Sequence, residues 1–192
     1  MIERIITDIN KALDAEAYMA ALSLVLTLPD ICAKAEYGNT TKDNKRHYIQ
    51  WYDEYIGQYE KSPTGPGDIE MPYLSGEVIY QLRCSVLHQG NPNIDQNQID
   101  EERCKIDRFV LIVEKKKPYD IYADSISVEM SPSSNIRKYE VNIRRLSKII
   151  TLVVEKYYRD NKEKFTFFDY EILDWDKEIE RFNVLEGENS NE

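Results

Sequence analysis

Apolar residues in the first ninety positions recur at intervals of three and four, which is the spacing of one face of an α-helix. This pattern predicts a helix over residues 2–28, with Pro29 as an interruption. A second helix is predicted over residues 43–61 and a third over residues 75–88. The stretch "SPTGPGD", residues 62–68, contains two prolines and two glycines and therefore predicts a break between the second and third helices.

The pattern changes after residue 90. The segments "RFVLIV" and "DIYADSISVEM" are short, rich in β-branched and aromatic residues, and separated by "EKKKPY". They predict a β-hairpin over about residues 108–130. Residues 139–160 then return to helical spacing, with Ile143, Leu146 and Ile150 on one face. The predicted fold class is therefore mainly α, with an inserted β-hairpin.

The composition is that of a globular domain, and the charge is unevenly distributed. Apolar residues make up 42% and charged residues 31%, so the chain can bury a core without disulfides or a structural metal. Of the net charge of −10, residues 169–192 carry −7, from nine acids against Lys177 and Arg181, which leaves about −3 for residues 1–168. Overall acidity therefore does not exclude a local basic groove. We predict a helical domain over residues 1–168 and an acidic C-terminal segment over 169–192, disordered at its end.

The cysteines and the apolar runs predict a reduced, cytoplasmic protein. Cys32, Cys84 and Cys104 are odd in number and match no zinc spacing, so neither a disulfide framework nor a metal site is expected. The N-terminal stretch "MIERIITDINKAL" is amphipathic and acidic, unlike a secretion leader. The longest apolar runs, such as "AALSLVLTL", are shorter than a membrane span. No cofactor, metal ion or membrane association is predicted.

The candidate chemistry lies in "LRCSVLHQG", where Arg83 and His88 stand five positions apart. On a continuous α-helix they would be about 140° apart and could not cooperate. Gly90 is suited to the left-handed position beyond a helix end, so we expect the helix to end between the pair. A histidine near a fixed guanidinium suits metal-independent phosphoester cleavage in RNA. The histidine would take a proton from a 2′-hydroxyl, and the arginine would stabilise charge on the phosphate.

Spacing alone is a weak signal, but "YQLRCSVLHQGNP" resembles the signature helix of HEPN domains, which carry R-x4-6-H near the end of an internal helix. The upstream stretches "LPDICAKAEY" and "RHYIQWYDEYI" are similar to segments that precede the signature in one bacterial branch of this superfamily. In that branch a β-hairpin also follows the motif. The likeness covers roughly residues 15–160 in order.

The resemblance implies a four- to five-helix bundle that forms an isologous homodimer. In catalytic members, the Arg and His of both chains meet at a cleft and cut RNA without a metal ion. Many of these proteins act as toxins or in anti-phage defence, which adds an antitoxin or another protein as an expected partner. Carried over to this chain, the catalytic residues are Arg83 and His88.

A non-catalytic interpretation stays open beside this one. Other HEPN members have lost activity and serve as dimerisation or protein-interaction modules. The position after the arginine is often Asn, Asp or His in active members, and here it is Cys84, a weak hydrogen-bonding residue. The retained Arg–His pair favours the ribonuclease, whereas Cys84 and the acidic balance favour the interaction module.

Several further residues are weaker candidates for contacts with RNA. Ser85 is a polar neighbour of the motif, and the basic residues of the hairpin and of the last helix could contact phosphates. These basic candidates are Lys115, Lys116, Lys117, Arg144, Arg145 and Lys148. The tyrosines and Trp51 of the second helix are expected to form core or interface rather than a base-stacking platform. Asp30 is expected to cap a helix, and His47 is expected to be solvated rather than to take a second catalytic role.

Overall fold

Six helices of eight or more residues and a three-stranded sheet form the described part of the chain. The computed structural model describes residues 1–38, 42–61, 71–130, 135–169 and 172–181. The "SPTGPGD" break and the end of the acidic segment, residues 182–192, lie outside these ranges. The helices are α1 Ile2–Asp14, α2 Tyr18–Val25, α3 Leu28–Tyr37, α4 Asn44–Tyr52, α5 Gly76–Cys84 and α6 Ile143–Asp160. The chain is therefore mainly helical, as predicted.

The single helix predicted over residues 2–28 is wrong, because two helices occupy this stretch. Glu16 adopts a left-handed conformation with φ of 58°, which reverses the chain between α1 and α2. Residues 14–17 contain neither glycine nor proline, so no local signal marks this turn. The predicted interruption near Pro29 is present, because α2 ends at Val25 and Pro29 lies in the first turn of α3.

The second and third predicted helices are present, and each continues through a π-helical turn. Helix α4 runs into the π-helical turn Asp53–Gly57 and the short helix Gln58–Glu60. Helix α5 runs into the π-helical turn Ser85–Gln89. Such turns hold one more residue than an α-helical turn and are found frequently at functional sites.

Helix α5 packs tightly against the end of α4. Its N-cap is Ser75, and the Gly76 amide donates to Asp53 Oδ1 at 2.7 Å. A Cβ atom at Gly76 would lie 2.6 Å from the Ile49 carbonyl oxygen, so only glycine permits this approach. The carboxylate at the helix N-terminus also complements the helix dipole. These contacts hold the N-terminus of the helix that carries the Arg–His motif in place.

The predicted hairpin over residues 108–130 is wrong in its pairing. The strands β1 Arg108–Ile112 and β2 Ser125–Met130 do not pair with each other, because β3, Asn135–Asn142, lies between them. Strand β3 pairs in parallel with β1 and antiparallel with β2. Residues 139–142 therefore belong to a strand rather than to the predicted helix 139–160. The Asn142 side chain accepts hydrogen bonds from the Arg144 and Arg145 amides, which starts α6 at Ile143.

The helices enclose one apolar core. Tyr48, Trp51 and Tyr52 of α4 are fully buried, as expected of this aromatic helix, whereas Tyr59 is 79% exposed. The stretch Tyr18–Tyr37, with a mean hydropathy of 1.3, is long and apolar enough to be a candidate membrane span by length and composition. It comprises α2 and α3, whose fully buried side chains include Leu22, Val25 and Leu28. Part of this apolar stretch is therefore buried in the core of the protein.

Candidate active site

Arg83 and His88 contact each other across the π-helical turn that extends α5. Arg83 Nη1 lies 3.2 Å from His88 Nε2. In a π-helical turn the backbone pairs residues five apart, which brings positions 83 and 88 onto one side of the helix. The α-helix ends at Cys84, between the two residues as expected, but the chain stays helical through the π-helical turn. This turn ends at Gly90, which has φ of 69°, the left-handed conformation expected of this glycine.

Asp30, in the first turn of α3, holds the guanidinium from the other side. Its Oδ2 accepts from Arg83 Nε at 2.9 Å and lies 2.8 Å from Nη2. The Arg83 side chain is 21% exposed and that of Asp30 is 28% exposed, so the ion pair is only partly solvated. Charge-assisted hydrogen bonds of this kind fix orientation well. Asp30 therefore orients Arg83, a role that active HEPN members often give to the residue after the arginine, which is here the half-buried Cys84.

Burial and charge act in opposite directions on Asp30. Burial raises the pKa of its carboxyl group, and the attraction of the Arg83 guanidinium opposes that shift. The guanidinium stays charged at any ordinary pH, so the arginine supplies a permanent cation. The Tyr80 ring lies 5.9 Å from Arg83 Cζ and adds an aromatic contact. The arginine is thus held on three sides, with Nη1 directed to His88.

The histidine is the more accessible member of the pair. His88 is exposed, whereas Arg83 is half-buried. An arginine has no acceptor atom, so the contact between them requires Nε2 to accept and the ring proton to sit on Nδ1. A substrate hydroxyl could replace the arginine as the donor to Nε2, and a phosphate oxygen could then take the guanidinium. The geometry permits the acid–base chemistry that the spacing suggested.

A cleft of about 400 Å³ opens beside Arg83. Helices α3 and α4 and the segment after α6 contribute its walls. The residues that line it include Asp30, Lys34, Asn44, His47, Arg83, Phe167 and Phe168. His47, expected to be solvated, thus lies beside the motif. Neither Asp30 nor His47 could be assigned to the site from sequence, because both approach it only through the packing of α3 on α4 and of α4 on α5.

Ser85 and the three lysines that were proposed to contact RNA do not line the cleft. Ser85 is only 5% exposed. Each lysine Nζ lies near a carboxylate oxygen. The distances are 3.9 Å from Lys115 to Glu16 Oε1, 3.3 Å from Lys116 to Asp14 Oδ1 and 2.7 Å from Lys117 to Glu114 Oε1. The lysines follow β1 in the connection to β2 rather than forming a hairpin tip. Each is close to a carboxylate, which weakens its attraction for phosphate.

The basic residues of α6 have a structural role. Arg144 is 3% exposed and donates to the Glu114 and Leu13 carbonyl oxygens. Arg145 contacts Asp124 at 2.7 Å and Glu60 at 3.0 Å. Lys148 lies 2.6 Å from Asp120. These contacts fasten the connection between β1 and β2 onto the helices, so the prediction that these three residues bind RNA is not supported by their placement.

No family model, no curated protein and no solved structure matches the chain. Within the described ranges, no group of three or more His, Cys, Asp and Glu side chains is arranged to hold a metal ion. The site is thus defined by its own geometry: an arginine fixed by a carboxylate, an exposed histidine in contact with it, and an adjoining cleft.

Proposed function

We propose that this protein is a metal-independent endoribonuclease of the HEPN type, with Arg83 and His88 as its catalytic residues. The observation that carries the proposal is the 3.2 Å contact between Arg83 Nη1 and His88 Nε2, at a surface position beside a cleft. A fixed guanidinium and a histidine that can exchange protons with solvent are what a 2′-hydroxyl attack on phosphorus requires. The exposure of His88 further supports catalysis over a purely structural role.

The proposed reaction uses both residues together. His88 Nε2 removes the 2′-hydroxyl proton, and the 2′-oxygen attacks the adjacent phosphorus. Arg83 stabilises the negative charge that builds on the phosphate oxygens. The bond to the 5′-oxygen breaks, and the imidazolium formed on His88 returns its proton to that oxygen. The products are a 2′,3′-cyclic phosphate and a 5′-hydroxyl, and the enzyme regains its initial protonation state.

The proposal includes assembly and context. We propose a cytoplasmic homodimer in which the Arg83–His88 pairs of the two chains face a shared cleft, as the resemblance to HEPN domains implies. A role as a toxin or in anti-phage defence, restrained by an antitoxin or another protein partner, fits the same resemblance. His88 is accessible for such an arrangement because it lies at the exposed end of the motif helix.

The alternative is a non-catalytic HEPN-fold module that dimerises or binds a protein. One observation favours it: Asp30 already neutralises Arg83 through two nitrogen atoms of the guanidinium. An arginine committed in this way could serve only to lock α3 onto α5. The two proposals differ in whether Arg83 interacts with a phosphate.

RNA cleavage in EDTA tests the proposal. The purified chain would be incubated with a panel of single-stranded and structured RNAs, and the product ends would be analysed. Fragments with 2′,3′-cyclic phosphates support the proposed reaction. If the whole panel stays intact at micromolar enzyme, the non-catalytic module is the better proposal.

A further inference from the structure

The cleft beside Arg83 has a composition suited to one ligand class. Its volume of about 400 Å³ lies within the roughly 300–1,000 Å³ of small-molecule sites. Arg83 stands at one side of it, and Lys34 and His47 line the same space. Phe167 and Phe168 supply an apolar wall. Basic, titratable and aromatic groups therefore meet next to the proposed reaction centre.

The charge of the cleft is opposite to that of the chain as a whole. The net charge is −10, yet the charged groups among the described lining residues are Lys34, Arg83 and one carboxylate, Asp30. Asp30 is already paired with Arg83. The Lys34 ammonium lies 4.5 Å from the centre of the Phe167 ring, in a cation–π contact rather than an ion pair. It can leave that contact for an anion at modest cost.

The aromatic wall is anchored independently of any ligand. Phe167 and Phe168 follow α6, and Phe165 just before them is buried among Tyr157 and Tyr158. Lys164 donates to Glu36 Oε2 at 2.6 Å, which fastens the segment to α3. The Phe167 ring therefore faces Lys34 in a preformed arrangement, and the site does not have to assemble on binding.

His47 contacts two of its neighbours. Its ring lies 4.9 Å from that of Tyr37, tilted by 31°. Arg46 Nη2 lies 3.5 Å from His47 Nε2. Burial raises the pKa of the Tyr37 hydroxyl to about 12, so this ring stays neutral around the histidine at physiological pH. Asn44 adds an amide to the same wall of the cleft.

We propose that this cleft is a nucleotide subsite, which binds one phosphate between Lys34, His47 and Arg83 and one base against Phe167. The inference rests on the proposed ribonuclease function, because it places the nucleotide next to the scissile bond. Phosphate binding draws Lys34 from the Phe167 ring, and the base takes the ring face that the ammonium leaves. Base–aromatic stacking tolerates any sequence, so the subsite selects single-stranded nucleotides rather than a particular base.

The two histidines of the chain allow a direct test. The imidazole proton signals of the untagged protein would be followed by NMR during titration with inorganic phosphate, adenosine 5′-monophosphate and an uncleavable 2′-deoxy dinucleotide. The His88→Ala variant assigns the signals, because only His47 remains. We expect the nucleotides to shift the His47 signal at concentrations at least tenfold lower than phosphate does. Tighter binding of the dinucleotide than of the monophosphate would identify a nucleic-acid strand as the source of the ligand, and the reverse order a free nucleotide.

Two lysine variants supply the matched comparison. Lys34→Ala should weaken nucleotide binding at least tenfold, whereas Lys45→Ala, an exposed lysine of α4 outside the cleft, should change it less than twofold. Equal effects of the two variants would overturn the subsite. So would a His47 signal that does not move, or phosphate that binds as well as the nucleotides.

Failure of the subsite and failure of the ribonuclease give different results. RNA cleavage that depends on His88, with no nucleotide effect at His47, would retain the enzyme and reject the subsite. Lys34-dependent binding at His47 without any cleavage would retain the subsite and reject the enzyme. The cleavage and NMR experiments use the same protein variants, so their results can be compared directly.

Discussion

Asp30 and Arg83 are 53 positions apart in sequence and share an ion pair in which one carboxylate oxygen lies 2.8 Å from Nη2 and 2.9 Å from Nε. This contact leaves Nη1 as the guanidinium nitrogen that reaches His88. The ion pair therefore both orients the arginine and reduces the net positive charge of the site. The orientation of the arginine favours catalysis, whereas the reduced positive charge weakens substrate binding.

Replacing Asp30 should separate those effects. We expect Asp30→Asn to lower kcat for RNA cleavage between about tenfold and a hundredfold, because a misplaced catalytic group is costly. KM should fall, because the site becomes more positive. Steady-state kinetics would measure both, with Asp8→Asn on the exposed face of α1 as the control. An unchanged kcat would show that Asp30 does not position Arg83 for catalysis.

Arg145 and Lys116 were both candidates for phosphate contacts, and they should differ sharply in stability experiments. Arg145 joins the carboxylates of Asp124 and Glu60, which are 8% and 10% exposed. Arg145→Ala leaves these groups without their cation and should destabilise the fold by about 3 kcal/mol. Lys116, 64% exposed, forms a surface ion pair, and Lys116→Ala should cost less than about 1 kcal/mol.

Urea unfolding would measure both changes. A similar cost for the two variants would contradict the structural role of Arg145. The RNA-cleavage rate of Lys116→Ala should match that of the wild-type protein, since Lys116 lies 3.3 Å from Asp14 and does not line the cleft. A large loss of cleavage in this variant would show that RNA extends over the connection between β1 and β2.

The two glycines that bound the motif helix serve different purposes. A Cβ at Gly90 would meet nothing within 4 Å, so Gly90→Ala incurs only the cost of a left-handed conformation, about 1 kcal/mol. At Gly76 a Cβ would lie 2.6 Å from a backbone oxygen and 2.9 Å from the Ile49 Cα. Gly76→Ala should therefore cost about 3 kcal/mol or force the helices apart. Chemical denaturation would rank them, and an equal loss would contradict the close approach of α4 and α5.

Glu36 should make stability depend on acidic pH. Hydrogen bonds from Lys164 and Tyr157 lower the pKa of its carboxyl group from the ordinary 4.5. A lowered pKa means that this stabilisation is complete above the unfolded-state value and is lost as pH falls through the lower folded-state value. The unfolding free energies of wild type and Glu36→Gln should therefore differ at pH 7, and the difference should shrink as pH falls below the ordinary pKa of about 4.5. A difference that stays constant down to pH 3 would contradict this assignment.

The sequence predicts local features of this protein well. Helical spacing places α4 and α5, Gly90 marks the end of the motif helix, and the aromatic residues of α4 form core as expected. The mainly helical class follows from the same periodicity. Each of these features depends on neighbours a few positions away, which is the range over which hydrophobic patterns carry information.

Features that depend on distant contacts were not predicted. The parallel pairing of β1 with β3 joins positions thirty apart, as in Arg108 with Lys138, so β1 and β2 are wrongly predicted to form one hairpin. The π-helical turn has no marker in "SVLHQ", yet it brings Arg83 to His88. Asp30 and His47 lie near the motif only because α3 packs on α4 and α4 packs on α5. The start of α6 has a local signal, because Asn142 is a residue type that caps helices, but the predicted helix began at residue 139 instead.

The most direct test of the central proposal is the cleavage of RNA in EDTA by His88→Ala and Gln89→Ala, compared with wild type. Both substituted residues are exposed in the same π-helical turn, so they carry a similar risk to folding. We expect His88→Ala to lose at least a hundredfold of the cleavage rate, because it removes the general base, and Gln89→Ala to stay within threefold of wild type. Equal cleavage by the two variants, with 2′,3′-cyclic phosphate products in both, would contradict the proposed active site.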